Sequence, residues 1–202
     1  MTKKYYEEFS GKYTDSGQIG EFLVKQFYLS VESLYRNNFS SLNSVLEVGA
    51  GHGFSSERLL RMFNEDTIFQ VSEFLPDLVA SAKKRMPSMN IIQESIYRLN
   101  RAENSIDLIF CLEVMEHLER PEEALIELAR VANQGVILSV PREPIWRILN
   151  LFRGKYISSY GNTPGHIQHW SKSSLIRLLR KYFIVLSVRT PLPWTIVALS
   201  PK

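Results

Sequence analysis

Three alternating glycines follow an acidic residue in the segment VLEVGAGHGFSSERLL, and this spacing could hold a ligand. The apolar run Ser44–Val48 predicts a buried strand, and a helix is predicted to follow it from about Phe54. Glycine adopts positive φ and admits a ligand close to the backbone, while a helix N-terminus offers free N–H groups. Ligands of open parallel sheets bind beyond the carboxyl ends of the strands, which is where Gly49, Gly51 and Gly53 would lie.

Acidic residues near this loop restrict the charge of the ligand. A dinucleotide loop reads G-x-G-x-x-G, but here the residue after the third glycine is Phe54. The Glu47 carboxylate would repel a pyrophosphate and attract a cation. Glu73, at the predicted end of the second strand about 20 residues past the loop, could hold both hydroxyls of a ribose. The alternatives are a solvated Glu73 and a tight turn without ligand. The glycine loop together with Glu47 and Glu73 favours a ligand with cationic groups, a ribose and no phosphate, such as S-adenosylmethionine.

A second candidate cluster is Glu113-Val-Met-Glu116-His117, after the predicted fourth strand. In a helix this spacing would place Glu113, Glu116 and His117 on one face. Two carboxylates and an imidazole could bind a divalent metal that acidifies a phenol or catechol, and His117 could instead act as a base. The alternative is that His117 packs at the helix start and the glutamates are solvated. We expect no metal, with Mg²⁺ at these three residues as the competing hypothesis.

Two further histidines lie in the glycine- and proline-rich stretch 141–172, in the sequence GHIQHW. His166 and His169 titrate near neutral pH and could act as a base or hold a substrate. A structural role is the alternative. It is favoured for His169, which precedes a predicted helix capped by Ser171, and is left open for His166.

The segment Pro141–Tyr156 combines an apolar side with positive charge. This composition suits a helix on a membrane surface, a cover over a hydrophobic substrate, or, as the preferred interpretation, a lid helix packed on the domain's own core. Its apolar residues are Ile145, Trp146, Leu149 and Phe152, and its basic residues are Arg142, Arg147, Arg153 and Lys155.

Alternating β-rich runs and helical stretches predict an α/β fold with a parallel sheet. The turn between the last two runs, Ile184–Val188 and Trp194–Leu199, is too short for a crossover helix, so these strands should pair antiparallel. Further strands are predicted at Thr67–Val71, Asn90–Gln93, Ile106–Cys111 and Val136–Val140, and helices at 17–36, 54–63, Asp77–Arg85, Pro121–Ala132, Ile145–Phe152 and 171–182.

The composition is that of one globular domain. The chain has 202 residues, 45% of them hydrophobic and 22% charged, with a net charge of +3 that does not by itself indicate nucleic acid. A single cysteine, Cys111, excludes an internal disulfide and fits a reducing compartment. The start, MTKKYYEEFSGKY, lacks the apolar run of a signal peptide, so a cytoplasmic protein is expected.

Four segments resemble class I S-adenosylmethionine-dependent methyltransferases, in the methyltransferase-11 and quinone-pathway-like subgroup. They are VLEVGAGHG, FQVSEFLPDLVASAKKR, SIDLIFCLEVMEHLERPEEALIELARV and GVILSVP, which cover roughly residues 40–141. The resemblance implies a Rossmann-like, doubly wound sheet of seven strands with the last strand antiparallel. It also implies one domain over 1–202, with N-terminal cap helices in 1–40 and an acceptor-covering insertion at 141–172.

The resemblance further implies roles for individual residues. Glu47 and the three glycines would surround the methionine part of the cofactor, and Glu73 would hold the ribose. Ser95 stands where the family often has aspartate for the adenine amino group, and a hydroxyl can still accept a hydrogen bond. The cluster Glu113, Glu116 and His117 is similar to one associated with Mg²⁺ in quinone-pathway O-methyltransferases. The remaining implied cofactor contacts are Tyr13, Phe74, Ile96, Cys111 and Leu112, and the candidate catalytic residues are His117 and His166.

These observations predict methyl transfer to a small-molecule acceptor by in-line displacement. Alternatives are a non-catalytic protein that binds S-adenosylmethionine and a methyltransferase acting on protein or nucleic acid, although no basic stripe favours nucleic acid. A nicotinamide-dependent oxidoreductase is opposed by Phe54 and the missing third dinucleotide glycine. Contact with a membrane surface remains an alternative for the segment 142–156.

Overall fold

The computed structural model describes residues 17–202, in which seven strands form one sheet in the order β3-β2-β1-β4-β5-β7-β6. Strands β1 to β5 pair in parallel, whereas β7 is inserted between β5 and β6 and runs antiparallel to both. This confirms the predicted fold class and the antiparallel pairing of the last two strands. The strands are β1 (Ser44–Val48), β2 (Ile68–Glu73), β3 (Ile91–Gln93), β4 (Ile106–Leu112), β5 (Ala132–Pro141), β6 (Phe183–Arg189) and β7 (Trp194–Pro201).

Helices cover both faces of the sheet. They are α1 (Gly17–Asn38), α2 (Phe54–Leu60), α3 (Pro76–Arg85), α4 (Pro121–Val131), α5 (Ile145–Phe152) and α6 (Lys172–Leu179), with short 3₁₀ turns at Met115–His117 and Ile157–Ser159. Side chains alternate along the central strands, as the two-residue period of a strand requires. Leu108 and Phe110 of β4 pack in the cluster under α1, while Ile109 and Cys111 pack in the cluster under α4 and α6.

Two helices end earlier than the sequence pattern predicts. Instead of continuing to Phe63, α2 ends at Leu60, because the next amides form tighter i→i+3 bonds, from Met62 to Leu59 and from Phe63 to Leu60. The end of α6 closes in the same way, and its predicted cap is present: the Ser171 hydroxyl accepts from the Ser174 amide at 3.2 Å.

The apolar stripe of α1 is only partly buried. Phe27, Val31 and Leu34 lie in the core, as the helical spacing predicts, but Ile19 and Phe22 are 77% and 58% exposed. Phe27 contacts Trp194 at the start of β7, so the first turns of α1 project past the carboxyl edge of the sheet. Within residues 17–202 no helix has both the length and the apolarity to cross a bilayer.

Candidate active site

The glycine loop lies at the carboxyl end of β1, and each of its glycines adopts positive φ. The values are 77°, 58° and 81° at Gly49, Gly51 and Gly53. The amides of Gly49 and Ala50 donate to the Ser72 carbonyl of β2 at 2.9 and 3.1 Å, which fixes the turn against the neighbouring strand. A Cβ on Gly49 would lie 2.5 Å from Val114 Cγ2, so this position requires glycine for space as well as for conformation.

Glu47 is buried beneath this loop. Its carboxylate accepts a short hydrogen bond from the Ser56 hydroxyl in the first turn of α2. Burial raises the pKa of Glu47 to about 7 against the lowering effect of hydrogen bonds from Ser55 and Ser56, and the nearby charge of Glu73 adds to the rise. A buried acid that is half protonated near neutrality is poised to ionise beside a cation.

Glu73 faces the same loop from the end of β2. Its Oε2 accepts from the Gly51 amide at 2.9 Å, and its Oε1 accepts from the amides of Phe74 and Leu75 at 2.7 and 2.9 Å. The backbone therefore fixes the orientation of this carboxylate. Oε1 already accepts two hydrogen bonds, but Oε2 accepts only one, so Oε2 can also accept a hydroxyl of a ligand.

The other predicted cofactor contacts occupy different environments. Phe74 is an exposed ring at the end of β2, which leaves its face accessible. The Ser95 hydroxyl accepts from the Tyr97 amide at 3.3 Å, and Ile96 packs in the core under α4. Tyr13 lies outside the described residues.

Cys111 and Leu112 are both buried at the end of β4. Burial, with smaller contributions from the charges of Glu116 and Glu47, raises the pKa of the Cys111 thiol far above its usual range. The thiol is therefore a small buried side chain and no nucleophile at neutral pH.

Two contacts from α3, which no sequence motif indicates, hold the glycine loop. His52 Nδ1 lies 2.8 Å from Ser81 Oγ, and Arg85 Nε donates to the His52 carbonyl at 3.1 Å. The Arg85 guanidinium also lies over the Phe54 ring at 3.5 Å. The tip of the loop is thus braced by a helix whose sequence contains no ligand-binding motif.

After the end of β4, a compact polar cluster brings together Glu116, His117 and His166. Their ligand atoms lie within 4.8 Å of one another, and they are the one group of three metal-ligating side chains found in residues 17–202. His117 Nδ1 lies 2.9 Å from the Gly165 carbonyl, which can only accept, so Nδ1 carries the proton in the neutral ring. The Glu116 carbonyl accepts from the amides of Ile167 and Gln168, which holds the His166 loop against the turn after β4.

Glu113 does not join this cluster, and the predicted one-faced grouping of Glu113 with Glu116 and His117 is corrected. The segment forms a 3₁₀ turn that begins only at Met115, and Glu113 has a φ of 58°. Its Oε1 accepts from the Ser139 hydroxyl at 2.9 Å and its Oε2 from the Trp194 indole at 2.8 Å. Glu113 thereby ties together the ends of β4, β5 and β7.

An aromatic row connects the cluster to α1. His117 contacts His166 edge to face at 4.9 Å between ring centroids, and His166 stacks on Trp146 of α5 at 5.9 Å. Trp146 in turn lies 6.0 Å from Trp194, which contacts Phe27. The row forms a continuous wall along the carboxyl edge of the sheet.

His169 lies apart from this row. Its Nε2 is 2.8 Å from Asn162 Oδ1, and its ring is exposed. Partial burial, and then the charge of Arg147, lower the pKa of His169.

Comparisons with known proteins identify a methyltransferase domain in this chain. Residues 46–140 match the family model described as a methyltransferase domain. The ubiquinone biosynthesis O-methyltransferase of Rickettsia bellii is 27% identical over 140 residues, which are 67% of this chain and 57% of that protein. The chain thus spans less than two thirds of the length of this relative.

Solved structures share the fold at lower identity. A protein of Pyrococcus horikoshii OT3 superposes with a TM-score of 0.75 at 14% identity, with all of both chains covered. The magnesium protoporphyrin IX methyltransferase of Synechocystis PCC 6803, solved with bound SAH, gives a TM-score of 0.70 at 17% identity over 99% of this chain and 95% of that one. The domain match over residues 46–140 and the methyltransferase relatives thus support a class I S-adenosylmethionine-dependent methyltransferase, similar to the O-methyltransferases of ubiquinone biosynthesis.

Proposed function

We propose that this protein transfers the methyl group of S-adenosylmethionine to a hydroxyl of a small aromatic acceptor. The observation that carries the acceptor class is the buried cluster of Glu116, His117 and His166 at the end of an aromatic wall. A hydroxyl must lose its proton during transfer, and a carboxylate with two imidazoles can receive it. The name of the Rickettsia relative, an O-methyltransferase, supports an oxygen acceptor.

The residues around the glycine loop fit S-adenosylmethionine. Glu47 and Glu73 converge beneath the loop and place negative charge where a dinucleotide would bring phosphate. Glu47 suits the cationic methionine part, Glu73 suits the ribose, and Phe74 offers an exposed ring to the adenine. The cofactor supplies a methyl group activated on a sulfonium.

The protein's own contribution is to orient the acceptor and accept its proton. Trp146 and Trp194 would lie against an aromatic ring, and their indole N–H groups are already bonded to Thr163 and Glu113. His166, held by the loop that Glu116 anchors, would take the hydroxyl proton, with His117 beside it. The lid 141–172 would exclude water from this space.

Replacing His166 tests the acceptor half of the proposal. His166→Ala should lower kcat on a catechol-type acceptor by about 10²–10⁴-fold, because the hydroxyl loses its proton acceptor. The Kd for S-adenosylmethionine should stay within about threefold of wild type. The matched control is His169→Ala, three residues away and exposed, which should retain most activity. Equal losses in kcat and cofactor affinity for His166→Ala would contradict a base.

Calorimetry tests the cofactor half separately. S-adenosylmethionine and its demethylated product should bind, and NAD should not. Glu73→Ala should abolish that binding. Tight binding of NAD without binding of the sulfonium compound would overturn the cofactor assignment whatever the acceptor is.

A further inference from the structure

The outer side of α5 and the turn that follows it expose an unusually apolar surface. Ile148, Leu151 and Phe152 are spaced i, i+3, i+4 and are 45%, 42% and 86% exposed, while Ile157 and Tyr160 are 67% and 77% exposed. The opposite stripe of α5 is buried through Trp146 and Asn150. One side of the helix therefore packs against the domain, and a second, apolar side is exposed to solvent. We call the five exposed residues the α5 patch.

Hydrogen bonds make the α5 patch a single preformed surface. The Arg147 side chain donates from Nε to the Tyr160 carbonyl at 3.0 Å, and Asn150 Nδ2 donates to the Gly161 carbonyl at 2.9 Å. Gly161 has a φ of 76°, and a Cβ there would clash with the Arg147 carbonyl. The turn 156–161 is thus locked against the helix that carries the rest of the patch.

The chain segment that carries the α5 patch has charges of one sign. Residues 144–202 contain nine Lys and Arg and no Asp or Glu, whereas residues 1–143 contain 15 basic and 21 acidic residues. Arg153 and Lys155 are exposed between the two apolar halves of the patch. An apolar side flanked by basic residues is the composition of helices that lie in the interface of anionic bilayers.

We propose that the α5 patch docks the protein reversibly on the surface of an anionic membrane, beyond the methyl-transfer function proposed above. Phe152, Ile157 and their neighbours would enter the acyl boundary, and Arg153 and Lys155 would contact anionic headgroups. The charge complementarity favours lipid over a second copy of this chain, whose corresponding patch carries the same positive charge. Because the inner side of α5 carries Trp146, which stacks on His166, docking brings the acceptor side of the site to the membrane surface.

Co-sedimentation with vesicles tests the docking. The full chain should bind vesicles that contain phosphatidylglycerol and bind those of phosphatidylcholine alone much less, and added salt should weaken the binding. The double variant Phe152→Ser, Ile157→Ser should lower the partition coefficient by about tenfold or more. Arg153→Gln with Lys155→Gln should remove most of the preference for anionic lipid.

Matched controls separate docking from general stickiness or misfolding. Ile126→Ser removes an apolar residue of α4 that is 54% exposed, and Lys83→Gln with Lys84→Gln removes two charges from α3. Neither should change vesicle binding, and every variant should keep the Tm and the S-adenosylmethionine affinity of wild type.

Failure of the wild type to bind anionic vesicles at low salt would overturn the proposal, as would equal losses in the Ile126→Ser control. A concentration-dependent dimer abolished by Phe152→Ser, without vesicle binding, would instead make the patch a dimer interface and would also overturn it. Any of these outcomes leaves the His166 and cofactor experiments unaffected.

Discussion

The proposed cofactor side and the proposed acceptor side of this site are built in different ways. On the cofactor side, the glycine loop is shaped by backbone conformation and by amides that bind Ser72 and Glu73, all close to the ends of β1 and β2. On the acceptor side, His117 reaches Gly165 across 48 residues and Glu113 reaches Trp194 across 81. Single substitutions should therefore strongly impair a site that is shaped by local backbone conformation. Single substitutions in a site assembled from distant side chains should each have a smaller effect.

Gly49→Ala is expected to have the largest effect and to break the cofactor side. The added Cβ would meet Val114 at 2.5 Å in a conformation with φ of 77°. We expect a loss of about 2–4 kcal/mol in the free energy of unfolding, from strain and overpacking together, and cofactor affinity lowered beyond calorimetric detection. Chemical denaturation and calorimetry measure the two effects.

Gly154→Ala is the control for that variant. Gly154 has a similar φ of 65°, but a Cβ there meets nothing within 4 Å. Its cost should therefore be about 1 kcal/mol of conformational strain, with cofactor affinity unchanged. If Gly49→Ala were no worse than Gly154→Ala, the close approach of Val114 would be irrelevant to the site.

The cofactor side should also respond to pH through Glu47. Because the pKa of Glu47 is raised to about 7, a cationic ligand must ionise it, and the Kd for S-adenosylmethionine should fall about tenfold between about pH 6 and pH 8. Glu47→Gln should bind more weakly, and this part of the pH dependence should disappear, while titration of the ligand's own amino group remains. A wild-type curve parallel to that of Glu47→Gln would contradict the assignment.

The raised pKa of Glu47 also makes the free energy of unfolding fall as the pH rises. The folded pKa of Glu47 lies above its unfolded value of 4.5, so the folded state binds more protons between that pH and about 7. The contribution of Glu47 is fully present below pH 4.5 and is lost as the pH rises, on the order of 3 kcal/mol in all. Denaturation curves of wild type and Glu47→Gln should therefore diverge towards neutral pH, in favour of the variant.

A smaller effect is expected from Glu113→Gln on the acceptor side. The amide can replace one of the two carboxylate oxygens that bind Ser139 and Trp194, so one buried hydrogen bond is lost, at about 1–2 kcal/mol. Trp194→Phe removes the indole donor alone and serves as the comparison. If Mg²⁺ raised the Tm of wild type and not of Glu113→Gln, the carboxylate would be a metal ligand after all.

The smallest effect should follow from removing the brace on the glycine loop. His52→Ala loses the contact with Ser81 and should weaken cofactor binding about fivefold, the equivalent of one hydrogen bond, without changing kcat. His52→Asn should restore part of the affinity, and Ser81→Ala should add nothing to His52→Ala. Additive losses in the double variant would show that the two side chains act independently.

The difference between the two sides also explains what the sequence could predict. The strand bounds of β1, the turn at Gly49 and the antiparallel last strands follow from local pattern, because glycine conformation and strand period are local properties. The grouping of Glu113 with Glu116 and His117 was wrong because it assumed a helix, and a residue with positive φ breaks that periodicity. The contact of His166 with His117 depends on packing between the segment 141–172 and the turn after β4, which no spacing along the chain encodes.

The position of β7 has a consequence for how the chain folds during synthesis. Although β7 lies between β5 and β6 in the sheet, it is made after both, so one edge of β5 has no neighbour until residues 194–201 leave the ribosome. Until then Val136–Val140 present unpaired amides and carbonyls on a strongly apolar strand, the kind of edge that recruits other nascent chains. Trp194, which begins β7 and binds Glu113, arrives in the same step. The aromatic wall can therefore close only after residues 194–201 have been made, and the exposed edge of β5 is an aggregation hazard until then.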